Sequence, residues 1–535
     1  MKKVKKLVSL LIVASMSLSM AACSNGSKDG GGNDKPNENP TESNGEAPSA
    51  SGDKNITIAV NAEIISLDPH NTSDTLSNSA YSTMYESMYE YQQDMTLAPV
   101  LATGHQVSDD GLVYTFNLKE GIKFHDGTDF NAAAVKYNFD RVMDEVKNLR
   151  ARRNTLYIEK VETPDDYTVV ITLTEPFAPA MNRIATLPII SPDALEKHGD
   201  TGIITNPCGT GPYIYEEWVQ GDKFVVKTNQ EYWGEKPGVE SVTFKPVTEN
   251  GARISMLQTG EADLIYPMPT EQVSAISGDK NIEIIEGTST IARFAFINMS
   301  KEMFSDVRVR QAMNYAIDKE AYAKVVKSGY AEPLTSHVPT SIEYHSAQQE
   351  YEYNLEKAKE LMAEAGYPDG FKCHIWAPND TENMKGMEFI SQQLAEIGID
   401  VEVVPMEEGT LSDSIYGAQT PEESTVNMWY VSWSAFDMDG ATARLFSSDS
   451  IPPVAPNVSY YMKPEADSLM KAGATTVDET KRAEIYADLQ EMIWNDAPWI
   501  FLGSDVLLSA KRTTTEGVFV DPSGEIVVKK ASTSK

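Results

Sequence analysis

The chain has 535 residues, 41% of them hydrophobic, which is too long for one core and fits two or three domains. Its formal net charge is −34, which excludes a nucleic-acid partner, because that requires a basic footprint, and favours a dispersed monomer through self-repulsion. The lysines at positions 2, 3, 5 and 6 carry the only charges of the first 22 residues, so removing that segment takes the charge to −38. An anionic ligand would then need cations placed locally, since the overall field repels it.

Residues 1–22 read as a secretory signal: a Lys-rich start, an apolar run from Leu7 to Val13, then small residues. The segment ends in Met20-Ala21-Ala22-Cys23, which resembles a bacterial lipobox, with Met20 a mild departure from the usual leucine. Lipidation of Cys23 would hold an extracytoplasmic protein to the cell membrane. Residues 23–53 then form a linker dominated by Ser, Gly, Asn, Asp, Glu and Pro, in which no core can form. As a flexible coil it reaches about 30 Å. No later run approaches the ~18 apolar residues of a membrane span.

Ile56, Ile58 and Val60 alternate as a strand. The loop from Asn71 to Thr75 offers Ser73, Asp74 and Thr75 as a helix cap, as pocket lining, or as both. Asp110-Gly111 is a turn, and Leu112, Tyr114, Phe116 and Leu118 follow as a half-buried strand. Asp126-Gly127 is a second turn, and Asn131 caps a helix with Val135, Phe139 and Val142 on one face. Gly209-Thr210-Gly211 is not a phosphate loop: no Lys-Ser/Thr follows, and Pro212 trails it. Helices are expected after Asp306, Asp318 and Asn354, through Met387–Ile397, and over 478–495. Trp499–Leu502 reads as a buried strand that carries the chain back toward the first lobe.

The stretch 428–446 is the richest. Trp429, Tyr430, Val431, Trp433 and Phe436 predict a strand buried on both faces, and Asp437, Met438, Asp439 and Gly440 break it as an acidic turn. A rigid aromatic wall beside fixed negative charge suits a small ligand with an amine and a peptide body. Tyr430, Trp433, Ser434, Asp437 and Asp439 are the candidate ligand contacts, with Trp376 as a further stacking surface. The same residues also fit a core strand ending in a surface turn. None of the seven histidines has metal-ligand spacing, and no nucleophile elbow or marked acid–base pair is present, so neither a cofactor nor enzymatic activity is expected. Cys208 and Cys373 fall in different proposed lobes, where a bridge would lock the hinge; free, buried thiols are expected.

Three stretches, 108–141, 206–218 (NPCGTGPYIYEEW) and 304–321 (FSDVRVRQAMNYAIDKEA), together resemble the family-5 solute-binding proteins of ABC importers, which take dipeptides, oligopeptides, nickel or glutathione. Shorter stretches, among them LDPHNTSDTLS (67–77), SWSAF (432–436) and EMIWNDAPWI (491–500), are similar to the glutathione-binding members. The resemblance implies an α/β, two-lobed periplasmic-binding-protein type II fold of the large class. It places the first lobe over 54–292 with an extra subdomain near 83–207, the second over 293–503, and a return to the first over 504–535. It implies a short peptide or glutathione as ligand and an ABC permease as partner. Nickel-chelate or haem binding in the same fold is the alternative; an extracytoplasmic peptidase is a more distant one.

In dipeptide binders an aspartate after this tryptophan holds the ligand amine. The matching residue here is Phe436, so Asp437 or Asp439 would replace it. Their carboxylate-holding arginine has no match in 377–387, where Lys385 is the only cation. The glutathione-binding members carry an arginine matching Arg293, which is expected to face the cleft at the first hinge crossing. Removing it should then weaken binding by at least about tenfold with little change in melting temperature.

Overall fold

A computed structural model describes residues 54–72 and 74–535. The signal, the linker, Cys23 and Ser73 lie outside the described residues.

Two large sheets organise the body. The first has seven strands in the order Ile282–Gly287, Leu507–Arg512, Leu264–Tyr266, Asn55–Val60, Ser241–Pro246, Lys223–Thr228, Tyr213–Val219. Asn55–Val60 is central and runs parallel to both neighbours, and Ile56, Ile58 and Val60 are buried as their alternation requires. The second has six strands in the order Ala331–Pro333, Trp499–Asp505, Ile291–Ile297, Met428–Ser434, Phe371–Pro378, Ile399–Met406. A four-stranded antiparallel sheet, Ala102–Val107, Val113–Leu118, Thr168–Leu173 and Ile158–Asp165, forms the extra subdomain with the helix Ala132–Met143. The fold is the expected α/β, two-lobed one, built on the two large sheets.

Helix starts follow the capping chemistry. Asn131 accepts from the Ala134 N–H at 3.0 Å, Asp74 from Ser77 at 2.8 Å and Asp318 from Ala321 at 2.8 Å; Asp306, Asn354 and Asp478 cap their helices in the same way. The six-stranded sheet carries apolar packing on both faces, where aromatic rings close the core; Trp499 stacks on Phe294 with centroids 3.5 Å apart.

The glycines of Gly209-Thr210-Gly211 serve close packing. A Cβ on Gly209 would sit 2.2 Å from the Met84 carbonyl oxygen, and one on Gly211 2.7 Å from it. Cys208 and Cys373 are free and buried, and burial pushes both thiols up to about 12. Among the described residues no helix is long and apolar enough to cross a membrane.

The chain crosses between the large sheets between Gly287 and Ile291 and again between Asp505 and Leu507. The turn from Asp521 to Glu525 braces the first crossing: the Thr290 N–H donates to the Pro522 carbonyl at 2.8 Å. Burial, and next Asp521, push the Glu525 carboxyl up to about 8, while Asn78 donates to it at 3.0 Å. A carboxyl with a raised folded value stabilises fully below its unfolded value of 4.5 and loses that contribution as pH rises through about 8. Glu525→Gln is therefore expected to melt with the native chain at pH 5 and about 2 °C or more above it at pH 8.5, measured by circular dichroism.

Candidate ligand-binding site

Residues 428–446 give a strand and then a helix. Met428–Ser434 pairs antiparallel with Ile291–Ile297, and Met428 and Tyr430 are buried while Trp429, Val431 and Trp433 are half-buried. The strand is thus not sealed on both faces. The expected acidic turn is the start of the helix Met438–Phe446: Asp437 is its N-cap and accepts from the Gly440 N–H at 2.6 Å. The pattern Asp-Met-Asp-Gly fits a capped first turn as well as an open one, and the apolar face formed by Met438, Ala441 and Leu445 decides it.

Capping leaves both acids at the boundary between the lobes. Arg183, on the helix Ala180–Ile184 of the subdomain, reaches across to Asp439 at 2.5 Å and to Asp437 at 3.7 Å. Burial drives the Asp439 carboxyl up, and the opposing charge of Arg183 does not fully cancel it. Burial lowers Arg183, but Asp437 and Asp439 reverse the effect and hold it above its ordinary value. The Ala178 N–H also donates across the boundary to the Ala474 carbonyl at 2.7 Å.

Aromatic rings frame the bridge. Phe436, 47% exposed, stacks on Tyr91 of the first lobe at 5.9 Å. The Arg183 guanidinium lies 4.9 Å over Phe177, which packs on Tyr157 at 4.5 Å. The Tyr91 and Tyr157 hydroxyls are buried and have no hydrogen-bond partner among the described residues. Two donors beside two acids and a guanidinium form a polar site with an apolar rim, which is what a small zwitterion requires.

The remaining candidates are dispersed. Arg293 and Trp433 leave opposite faces of the six-stranded sheet. Trp433 packs with Phe294 and Phe296, whereas Arg293 shares the face of Ala295 and Tyr430. The Arg293 guanidinium donates to Asp505 from Nε at 3.0 Å and from Nη2 at 2.9 Å, and meets Glu382 at 2.9 Å; Lys327 reaches the same two acids. Its side chain closes a largely buried ion network, so its removal is expected to lower the melting temperature as well as affect binding. Tyr430 is fully buried with its hydroxyl 2.7 Å from that of Tyr322, and Trp376 stacks on His374 at 5.0 Å. Ser434 bonds Thr290 at the first crossing at 2.7 Å. Asp74 caps its helix, and Thr75 lies beside Gly524 of the bracing turn.

Trp433 covers a small enclosed gap with Thr290, Ala292, His337, Ala435 and Trp499, about 10 Å³, room for one water. Both ring nitrogens of His337 are buried there with no hydrogen-bond partner among the described residues, and burial lowers its pKa to about 3. A hollow of about 740 Å³ lies on the first lobe alone between Lys119, Tyr167 and Trp233. It is open to solvent and lies apart from the bridge, so chemistry rather than volume locates the site. Tyr91, Tyr157, Phe177 and Arg183 escaped the sequence reading. They lie some 250–350 positions from Asp437 and Asp439, and only the demand for a local cation in an acidic chain pointed toward an arginine at all.

GsiB, a glutathione-binding protein of Salmonella typhi, is 40% identical over 478 residues, covering 88% of this chain and 92% of its own. Among solved structures, DppA of Helicobacter pylori in complex with the peptide STSA is 29% identical with a TM-score of 0.74, covering 90% of this chain and 98% of its own. HbpA2 of Haemophilus parasuis is 26% identical with a TM-score of 0.80, covering 90% of this chain and 100% of its own. The middle-region profile of family 5 matches residues 96–451, and the chain belongs to the bacterial extracellular solute-binding proteins of family 5.

Proposed function

We propose that the chain is the ligand-capturing component of an ABC importer. It is a lipid-anchored, extracytoplasmic protein that clamps a short peptide (dipeptide, oligopeptide or glutathione) between its lobes and delivers it unaltered to the membrane permease. The observation that carries this reading is the pair Asp437 and Asp439 facing Arg183 across the lobe boundary inside an aromatic frame. Such a site holds an amine and packs a peptide backbone without offering a nucleophile. The relatives named for glutathione and the neighbour solved with a peptide support the same ligand class. Of the candidates, Asp437 and Asp439 are assigned to the cleft, and the two sheet crossings to the hinge.

Micromolar affinity needs only about −8 kcal/mol, within reach of one ion pair, a few buried hydrogen bonds and ring stacking. Calorimetry with glutathione, oxidised glutathione and a dipeptide set is expected to find micromolar binding by at least one of them. Mass spectrometry of the released ligand should return it intact. Silence from every peptide would remove the reading, and a cleaved ligand would make the protein a peptidase. Anchoring is read separately: Cys23→Ser should move the protein from the membrane fraction to the medium or periplasm.

A further inference from the structure

We infer that the gap covered by Trp433 and lined by His337, Ala435 and Ala441 is a side-chain subsite for one small hydrogen-bonding group, so that the preferred cargo is a short peptide presenting a hydroxyl or a thiol. This rests on the peptide reading above.

Most of the walls are aliphatic or aromatic, and the Thr290 hydroxyl among them is already engaged, 2.7 Å from that of Ser434. The imidazole of His337 is not. It is 1% exposed and packs edge-on against Phe446 at 5.1 Å, and neither nitrogen has a hydrogen-bond partner among the described residues. Trp499 also lines the gap, and its Nε1 is likewise buried and unpartnered among the described residues. Burying such groups unpaired costs stability, and a phenylalanine would fill the place of His337 without that cost. Burial, and next His345, hold the imidazole at a pKa of about 3, so at neutral pH one nitrogen donates and the other accepts. A hydroxyl or thiol, which does both, is the complementary group. An aliphatic tip would leave the nitrogens unpaired, and a charged one would enter among neutral partners. The space of about 10 Å³ admits one group of that size and excludes a leucine or phenylalanine side chain.

The gap adjoins the acids assigned to the ligand amine. The Ala441 N–H donates to the Asp437 carbonyl at 3.1 Å. A Cβ on Gly440 would sit 3.2 Å from the Asp437 carboxylate and 3.9 Å from the Ala435 side chain. Two walls of the gap thus lie within one turn of chain of Asp437, and a peptide whose amine meets that acid can extend a side chain to His337. Thr290 belongs to the first crossing between the sheets, where its N–H donates to the Pro522 carbonyl at 2.8 Å. A side chain seated in the gap therefore packs against the hinge as well, and cargo that fills it favours the shut state through differential affinity.

The test is calorimetry with tripeptides in which serine, cysteine or 2-aminobutyrate replaces each alanine of Ala-Ala-Ala in turn. The aminobutyrate side chain matches the other two in length but ends in a methyl group. At one position at least, the native chain is expected to bind the serine or the cysteine member about tenfold or more tightly than its aminobutyrate partner. In His337→Phe, which keeps a ring against Phe446, that ratio should fall below about twofold. His337→Gln, which keeps a donor and an acceptor, should retain part of it. Circular dichroism melts establish that the variants fold, and the comparison within the native chain needs no variant. If the native chain binds the members equally at every position, or His337→Phe keeps the full preference, the subsite is overturned while the peptide reading stands. If none of these peptides, nor any of the dipeptide set, nor glutathione in either form binds the native chain, the peptide reading fails and takes the subsite with it.

Discussion

Asp505→Asn is expected to destabilise the protein by about 3–5 kcal/mol, the usual result of removing one member of a buried ion pair. Asp505 accepts from Arg293 and Lys327 with side chains 11%, 15% and 10% exposed. Burial raises its carboxyl, but Arg293 and Lys327 outweigh burial and hold it below the usual value of 3.8. Without that charge two cations face each other, and among the described residues the half-exposed Glu382 is left to balance them. Urea titration at pH 7 reads the effect. A carboxyl with a lowered folded value stabilises above its unfolded value and loses that contribution as pH falls through the folded one. The gap between native and variant chains should therefore narrow below about pH 4. Glu382→Gln, at an exposed position, should change stability by about 1 kcal/mol or less. Equal effects from the two variants would show that the network does not bind the root of the hinge together.

Arg183→Ala is expected to act on closure rather than on folding. Arg183 joins the lobes through Asp439 at 2.5 Å and Asp437 at 3.7 Å, acids that are 12% and 8% exposed. Removing it leaves two neighbouring carboxylates without their cation when the lobes shut, while an open molecule returns them to water. We expect peptide affinity to fall by about a hundredfold, equivalent to about 3 kcal/mol. Small-angle scattering with saturating peptide should show a larger radius of gyration than the native chain. The melting transition of the unliganded protein should move little. A large loss of melting temperature with unchanged affinity would instead make Arg183 a structural residue of the subdomain.

Local order was legible in the sequence because its causes are local. Caps such as Asn131, Asp318 and Asn354 act within three residues, and the alternation of Ile56, Ile58 and Val60 is fixed by the pleat. The aromatic strand was visible for the same reason. Asp437 caps a helix where the sequence predicts a turn, because a capping aspartate and a turn aspartate present the same letters. The site itself was only half legible. Its acids lie in one stretch, but Arg183, Tyr91 and Tyr157 come from the subdomain, and nothing in local periodicity ties them to residue 437. Arg293 drew attention as a cation at a crossing, yet strand alternation turns it toward Asp505 and away from Trp433.

The sealed thiols have a practical consequence. Cys208 sits in one lobe and Cys373 in the other, both protonated at neutral pH and shielded from reagents. The folded body is thus already a background on which maleimide dyes find no native target. Val146, 93% exposed on the subdomain, and Val454, 79% exposed on the second lobe, can be replaced by cysteine and labelled as a donor–acceptor pair. Energy transfer would then follow opening and shutting in solution with every native cysteine of the body left in place.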